Sequence, residues 1–153
     1  MFTAEQLDLI DASVLCWLAT ADDGGAPSVS PKEVFALRDG RVLIANVASP
    51  NSARNVKANA RVCVAFLDVF RQKGVKVYGS AELINKADDR FADLAPPLEV
   101  IAGDAFPFAS LFLITPTSVK PIIAPRYRLY PETTEANQIA SAMVTYGVRP
   151  ADA

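Results

Sequence analysis

Histidine is absent from all 153 residues. Its absence removes Ser-His-Asp triads, Cys-His dyads and His-ligated zinc from consideration. Cysteine is almost absent, with Cys16 and Cys63 the only two. They are too far apart for a Cys-x-x-Cys motif and too few for a four-cysteine metal site. Both lie in apolar runs, VLCWLA and VCVAFL, which points to buried free thiols in a reducing compartment. Spacing alone leaves a Cys16–Cys63 disulfide open. Long hydrophobic stretches are missing too: the apolar runs are about six residues, against the ~20 that a membrane helix needs. The opening MFTAEQLDLID lacks a basic segment and carries Glu5, Asp8 and Asp11 where a signal peptide is apolar. A soluble, cytoplasmic protein is expected, with no membrane contact. Basic charge is not in excess, since 15 Lys and Arg against 17 Asp and Glu give −2. That balance argues against a nucleic-acid partner. No Walker motif and no Gly-x-Gly-x-x-Gly occurs.

What remains is apolar and of single-domain size. Hydrophobic residues make up 51%, charged residues only 21%, and the mean hydropathy is +0.20. A chain of this length buries about 70% of its unfolded surface, and one domain over residues 1–153 is expected. The composition suits a well-filled interior and a partner-covered surface equally.

The pattern along the chain is mostly that of strands. Thr3 and Gln6 have capping-box spacing, and Leu7, Ile10 and Val14 follow at helical intervals, predicting a helix over 4–12. Residues 14–20 read as a buried strand in which Trp17 is a core residue. Asp22-Asp23-Gly24-Gly25 and Asp39-Gly40 supply the positive φ of hairpin turns. Between them, 27–38 reads as one strand, confined by Pro31 to an edge or a bulge. Strand 41–46, a polar loop and a helix over 52–60 follow. The run 62–70 is apolar on both faces and predicts a strand covered on both sides, paired with 75–84. A helix over 86–98 stopped by Pro96-Pro97, a loop or lid over 98–110, a strand over 111–123, an extended piece over 125–131 and a helix over 132–144 ended by Gly147 complete the order. Five or six strands with short helices suggest a small antiparallel barrel.

Two segments carry candidate chemistry, SVSPKEV (28–34) and SPNSARNVKANARV (49–62). In the second, Ser49, Asn51, Ser52, Arg54 and Asn55 cluster at the entrance to a predicted helix. A helix N-terminus with hydroxyls and an arginine fork can receive a phosphate. Ordinary capping by Ser49 or Asn51 accounts for the same residues.

The ordered series LATADDGGAPSVSPKEV, DGRVLIAN, SARNVKANARVCVAFLD and GVKVYGSAEL resembles the pyridoxamine 5′-phosphate oxidase-like FMN-binding family over roughly residues 13–85. It is most similar to the branch with Ser-Pro-Lys on the second strand. The resemblance implies a mainly β protein with short helices: a six-stranded antiparallel split β-barrel, homodimeric, with FMN at the subunit interface. It places Ser30, Pro31 and Lys32 along the flavin ring, with Ala45 and Asn46 beside it. Asn51, Ser52 and Asn55 would receive the phosphate or ribityl chain, with Arg54 as an added cation. Lys32 is the residue expected to favour the reduced, anionic ring. Two departures stand out. An Arg-Lys pair of the oxidases proper falls on Asn51 and Ser52, and a flavin-contacting glutamine falls on Gly74. The C-terminal substrate segment with Trp and Arg is not found, so oxidation of pyridoxamine phosphate is not expected. The expected activity is hydride transfer from a reduced nicotinamide or similar small donor to flavin, and on to a small acceptor. No catalytic acid or base and no metal site is identifiable. The alternatives are a non-enzymatic flavin-binding or sensing module, or a deazaflavin- or haem-using member of the same fold.

Overall fold

Thr3 accepts from the Gln6 amide while the Gln6 side chain accepts from the Thr3 amide, so the capping box is formed and opens α1 (Ala4–Asp11). The structure, a computed structural model, describes residues 2–150. After α1 come β1 (Cys16–Ala21), β2 (Pro27–Lys32), β3 (Phe35–Arg38) and β4 (Arg41–Ala45). Next are α2 (Pro50–Ala58), β5 (Arg61–Asp68) and β6 (Lys73–Asn85). The remainder is α3 (Phe91–Leu94), α4 (Pro96–Ala102), β7 (Ser110–Ile123), α5 (Pro125–Leu129) and α6 (Glu135–Tyr146). No helix among the described residues is long and apolar enough to cross a membrane.

The strands form one antiparallel sheet in the order β2-β1-β5-β6-β7-β4-β3. It has seven strands rather than the six expected, because the stretch 27–38 breaks in two at Glu33–Val34. Its halves stand at opposite ends of the order yet are joined by two residues, three Cα steps that reach at most about 11 Å. The sheet must therefore curl until its edges nearly meet, which is a split barrel. The Ala45 amide donates to the Val34 carbonyl at 3.0 Å, which continues the β3–β4 ladder one position toward the link with β2. Pro31 is tolerated because β2 is an edge strand.

Inside the curl, alternate residues make one core: Cys16 and Leu18 of β1, Val62, Val64 and Phe66 of β5, Val75 and Val77 of β6, Phe112 and Ile114 of β7, and Val42 and Ile44 of β4. A second core lies outside it. There Leu43 and Ala45 of β4 and Leu111 and Leu113 of β7 pack under Phe91, Leu94, Leu98 and Ala102 of α3 and α4. The strand covered on both sides is thus β4, with the start of β7, and not the one over 62–70. The outward residues of β5, Cys63, Ala65 and Leu67, are only half-buried. Trp17 points outward from β1 and is 44% exposed, so it is not a core residue. Cys16 and Cys63 face opposite sides of the sheet and are free thiols. Burial pushes the Cys16 thiol up to about 12, against the pull of nearby Lys32.

Two helical expectations shift for one reason. Pro96 and Pro125 begin α4 and α5 at the first helical position instead of stopping a helix or holding an extended chain. Proline fits there because the amide it lacks has no intrahelical partner. The segment 125–131 is therefore mainly helix, and 86–98 is a turn followed by two short helices.

Candidate functional site

Ser30 and Lys32 are two apart on β2, so their side chains leave the same face of the strand. Lys32 is only 6% exposed. Its Nζ donates to Ser30 Oγ at 2.6 Å and to Ser49 Oγ at 2.5 Å. No carboxylate lies within ion-pair distance of it among the described residues. Burial holds the ammonium below its ordinary value, and the nearby Cys16 thiol pulls the other way. A buried cation is costly unless it is paired. Two hydroxyls solvate this one, but nothing in its described surroundings neutralises it.

Ser49 occupies the N-cap position of α2 but makes no capping bond. Its hydroxyl is turned to Lys32 instead. Pro50 takes the first helical position, so the amides of Asn51 and Ser52 at the positive end of the helix have no side-chain partner. Ser52 is 3% exposed. Asn51 donates to Ser28 Oγ on β2 at 3.1 Å and accepts from Arg54 at 3.2 Å. The Arg54 guanidinium is thereby drawn back over the first turn of α2.

These groups border a cavity of about 270 Å³ at the seam of the barrel. Its polar lining is Ser30, Lys32, Glu33 and Ser49; its apolar walls include Pro31, Val34, Ala45, Val47 and Phe106. Of the residues singled out from sequence, Ser30, Pro31, Lys32 and Ala45 meet here. Asn51, Ser52 and Arg54 sit on the adjoining turn of α2. Asn46 lies just past β4, where its backbone and side-chain amides donate to the carbonyl and hydroxyl of Ser110 at 2.9 and 3.0 Å. Its Oδ1 is buried and has no partner. Asn55 turns away, buried and donating to Thr20 Oγ1 of β1 at 3.0 Å. Ser49 looked like an ordinary cap, and its contact with Lys32 spans 17 positions, a separation that no local pattern encodes. Phe106 comes from the loop after α4, whose apolar FPF was the one available signal.

Gly74 explains one departure from the expected pattern. A side chain there would collide with the Phe66 carbonyl oxygen on the neighbouring strand. The backbone of this hairpin therefore excludes glutamine, or any other larger residue, at that position. A larger groove of about 610 Å³ lies between β1, β5, β6 and β7 on the outer side of the sheet. Arg61, Cys63 and Tyr78 line it, with no buried charge comparable to Lys32.

Known proteins agree with this architecture. A solved protein of Lactobacillus delbrueckii, described provisionally as a pyridoxamine 5′-phosphate oxidase, is 27% identical. The match covers 78% of this chain and 93% of that one, with a TM-score of 0.65. HupZ of Group A Streptococcus is 24% identical over 78% of this chain and 92% of its own, with a TM-score of 0.65. An FMN-binding protein of Syntrophomonas wolfei is 17% identical over 78% and 84%, with a TM-score of 0.61. No curated protein sequence matches the chain. The family model described as pyridoxamine 5′-phosphate oxidase matches residues 2–123. With four-fifths of its length inside that match and its strands in a split barrel, the chain belongs to the pyridoxamine 5′-phosphate oxidase family.

Proposed function

We propose that this protein is a homodimeric FMN-dependent flavoprotein oxidoreductase. One observation carries the reading: a buried ammonium without a carboxylate stands beside a helix N-terminus whose cap hydroxyl is turned away. Both features favour an anionic ligand at this end of the seam. The residues present fit FMN, which has a flat ring and an anionic tail. The amides of Asn51 and Ser52 and the Ser52 hydroxyl would hold the phosphate, with the Arg54 guanidinium held over them by Asn51. Ser30, Pro31, Lys32 and Ala45 would border the ring, with Phe106 closing the apolar side against water. When bound, FMN supplies the hydride acceptance and electron delivery that a chain without histidine lacks. The donor in this reading is a reduced nicotinamide or a similar small molecule, and the acceptor is also small. The similarity to an FMN-binding protein supports the choice of cofactor.

A second copy completes the site in this reading. The cavity holds about 270 Å³, below the roughly 300–1,000 Å³ of pockets that enclose a ligand of this size. Another surface must cover what the seam leaves open. The chain carries an uncovered apolar face for that purpose, with Val14, Trp17, Val29 and Val69 each more than two-fifths exposed.

Titration of the purified protein with FMN, followed by flavin fluorescence, tests the site. Ser52→Ala combined with Arg54→Ala is expected to weaken binding at least tenfold, and unchanged affinity would remove these residues from the phosphate site. A colourless protein that takes up no FMN would overturn the cofactor. Release of a deazaflavin or haem would replace it, and tight flavin binding without turnover by any donor would make the protein a carrier or sensor.

A further inference from the structure

We propose that residues 103–109 form a strap over the seam cavity, which the bound ligand fixes in place and whose Phe106 holds the ligand in. The inference rests on the flavin reading above and goes further in assigning what governs the ligand's release.

Of the stretch 98–110, only 103–109 is loop, between the end of α4 and the start of β7. Each end of it is anchored. Gly103 closes α4, its amide donating to the Glu99 carbonyl at 2.9 Å. Its φ of +56° is one that a residue with a side chain rarely adopts, so the chain turns sharply as it leaves the helix. At the other end, the Phe108 ring packs on Phe91 with centroids 6.1 Å apart, against the core beneath α3 and α4. The Ala109 carbonyl accepts from the Lys86 amide at 3.2 Å.

Nothing comparable holds the span between. The amides of Asp104, Ala105 and Phe106 donate to no backbone carbonyl among the described residues, and residues 104–107 are all exposed. Segments with few buried contacts and a solvated backbone are the ones that open locally most readily. Phe106 is nevertheless placed at the site. It is 48% exposed, yet it lines the cavity. The other lining residues all lie within 30–34 and 45–49, on the seam itself and the approach to α2. Pro107 restricts Phe106 to extended conformations and ties its ring to the anchored Phe108. The freedom that remains lies at 103–105.

An occupant changes this balance. A flat aromatic ligand in the cavity gives the Phe106 ring a partner face and takes its exposed part out of water. Strap and ligand then order each other. Release requires the strap to lift first, whereas entry meets a loop that nothing holds shut. The strap therefore acts on the rate of departure far more than on the rate of arrival.

Two measurements test this: hydrogen exchange of the loop amides with and without FMN, and the rate of FMN release from the loaded protein. FMN is expected to slow exchange at Asp104, Ala105 and Phe106 at least about tenfold. Phe106→Ala is expected to speed FMN release at least about tenfold while leaving association within about threefold. Phe106→Leu, which keeps bulk but loses the flat face, falls between. Phe106 is exposed and outside both cores, so its truncation leaves the fold intact. Unchanged release in Phe106→Ala overturns the inference and leaves the cofactor reading intact, as does loop exchange indifferent to FMN. Failure of the unmodified protein to bind FMN overturns both.

Discussion

Strands β4 and β1 belong to the same sheet but differ in what covers their outer sides. Leu43 and Ala45 of β4 lie under α3 and α4, and both are nearly inaccessible. On β1 the equivalent outward residues are Trp17, Ala19 and Ala21; Trp17 is exposed and the two alanines are only half-buried. Trp17 stands opposite Pro31 on one side and Ala65 on the other, and Ala19 stands between Val29 and Cys63. Both faces are apolar; only one is protected by its own chain. A covered face contributes stability to the single chain, because removing apolar area from water is worth about 25 cal/mol per Å². A bare one contributes only when another surface arrives. The contrast assigns different work to the two halves: one is the base of the fold, and the other is the face that the proposed dimer would cover.

The largest effect that separates them is expected in the covered half. Leu113→Ala removes a side chain only 1% exposed beneath α4, and should cost about 2–5 kcal/mol in urea unfolding. A loss no larger than that of a surface substitution would show that α3 and α4 contribute little. On the bare half, Trp17→Ser should cost the dilute chain no more than about 1 kcal/mol. Its main consequence should appear in sedimentation, as a dimer that dissociates at higher protein concentration than the unmodified protein. A dimer that is indifferent to Trp17 would move the interface elsewhere.

The smallest effect concerns the rim of the bare half, at the hairpin joining β5 to β6. Burial pushes the Asp68 carboxyl up, but hydrogen bonds from the Arg71 side chain and from the backbone amides of Arg71 and Phe70 outweigh it, with the Arg71 charge adding to them. The net direction is down. Its stabilising contribution is present above the ordinary carboxylate value of about 3.9 and is lost as pH falls through the lower folded value. Asp68→Asn should therefore flatten the acid limb of a stability–pH profile by less than about 1 kcal/mol, because Arg71 and its second partner Asp8 are partly solvated. An unchanged acid limb would show that the hairpin tip is held by other contacts, such as the 2.8 Å bond from the Tyr127 hydroxyl to the Arg71 carbonyl.

What the sequence disclosed, and what it concealed, follows from the range of each interaction. Turns and caps are local, and they were legible. Asp39 and Gly40 both adopt positive φ, Gly147 ends α6 in the left-handed region, and Thr3 forms its box. The break at Glu33–Val34 carries no glycine or proline, because closure of the sheet imposes it from a distance. The cover over β4 rather than β5 was hidden for a similar reason. Cys63, Ala65 and Leu67 are as apolar as a buried face, and only tertiary packing decides which strand receives helices. At the site, the spacing of Ser30 and Lys32 and the polar cluster before α2 were visible. That Ser49 gives up its cap to hold Lys32 depends on two segments meeting in space.

The two-residue link between β2 and β3 also bears on when the cavity exists. The strands it joins lie at the two extremes of the strand order, so the seam is closed only in a chain whose five intervening strands hold their registers. The cavity is built from its lips, with Lys32 at the end of β2 and Ala45 beyond Val34. It exists only when closure is complete, and it vanishes with the first local opening of that edge. A molecule gripping both lips is then a clasp as well as a reagent, since binding only the closed form withdraws population from the open one. The same two residues that let the sheet wrap around thus tie occupancy of the site to the endurance of the fold.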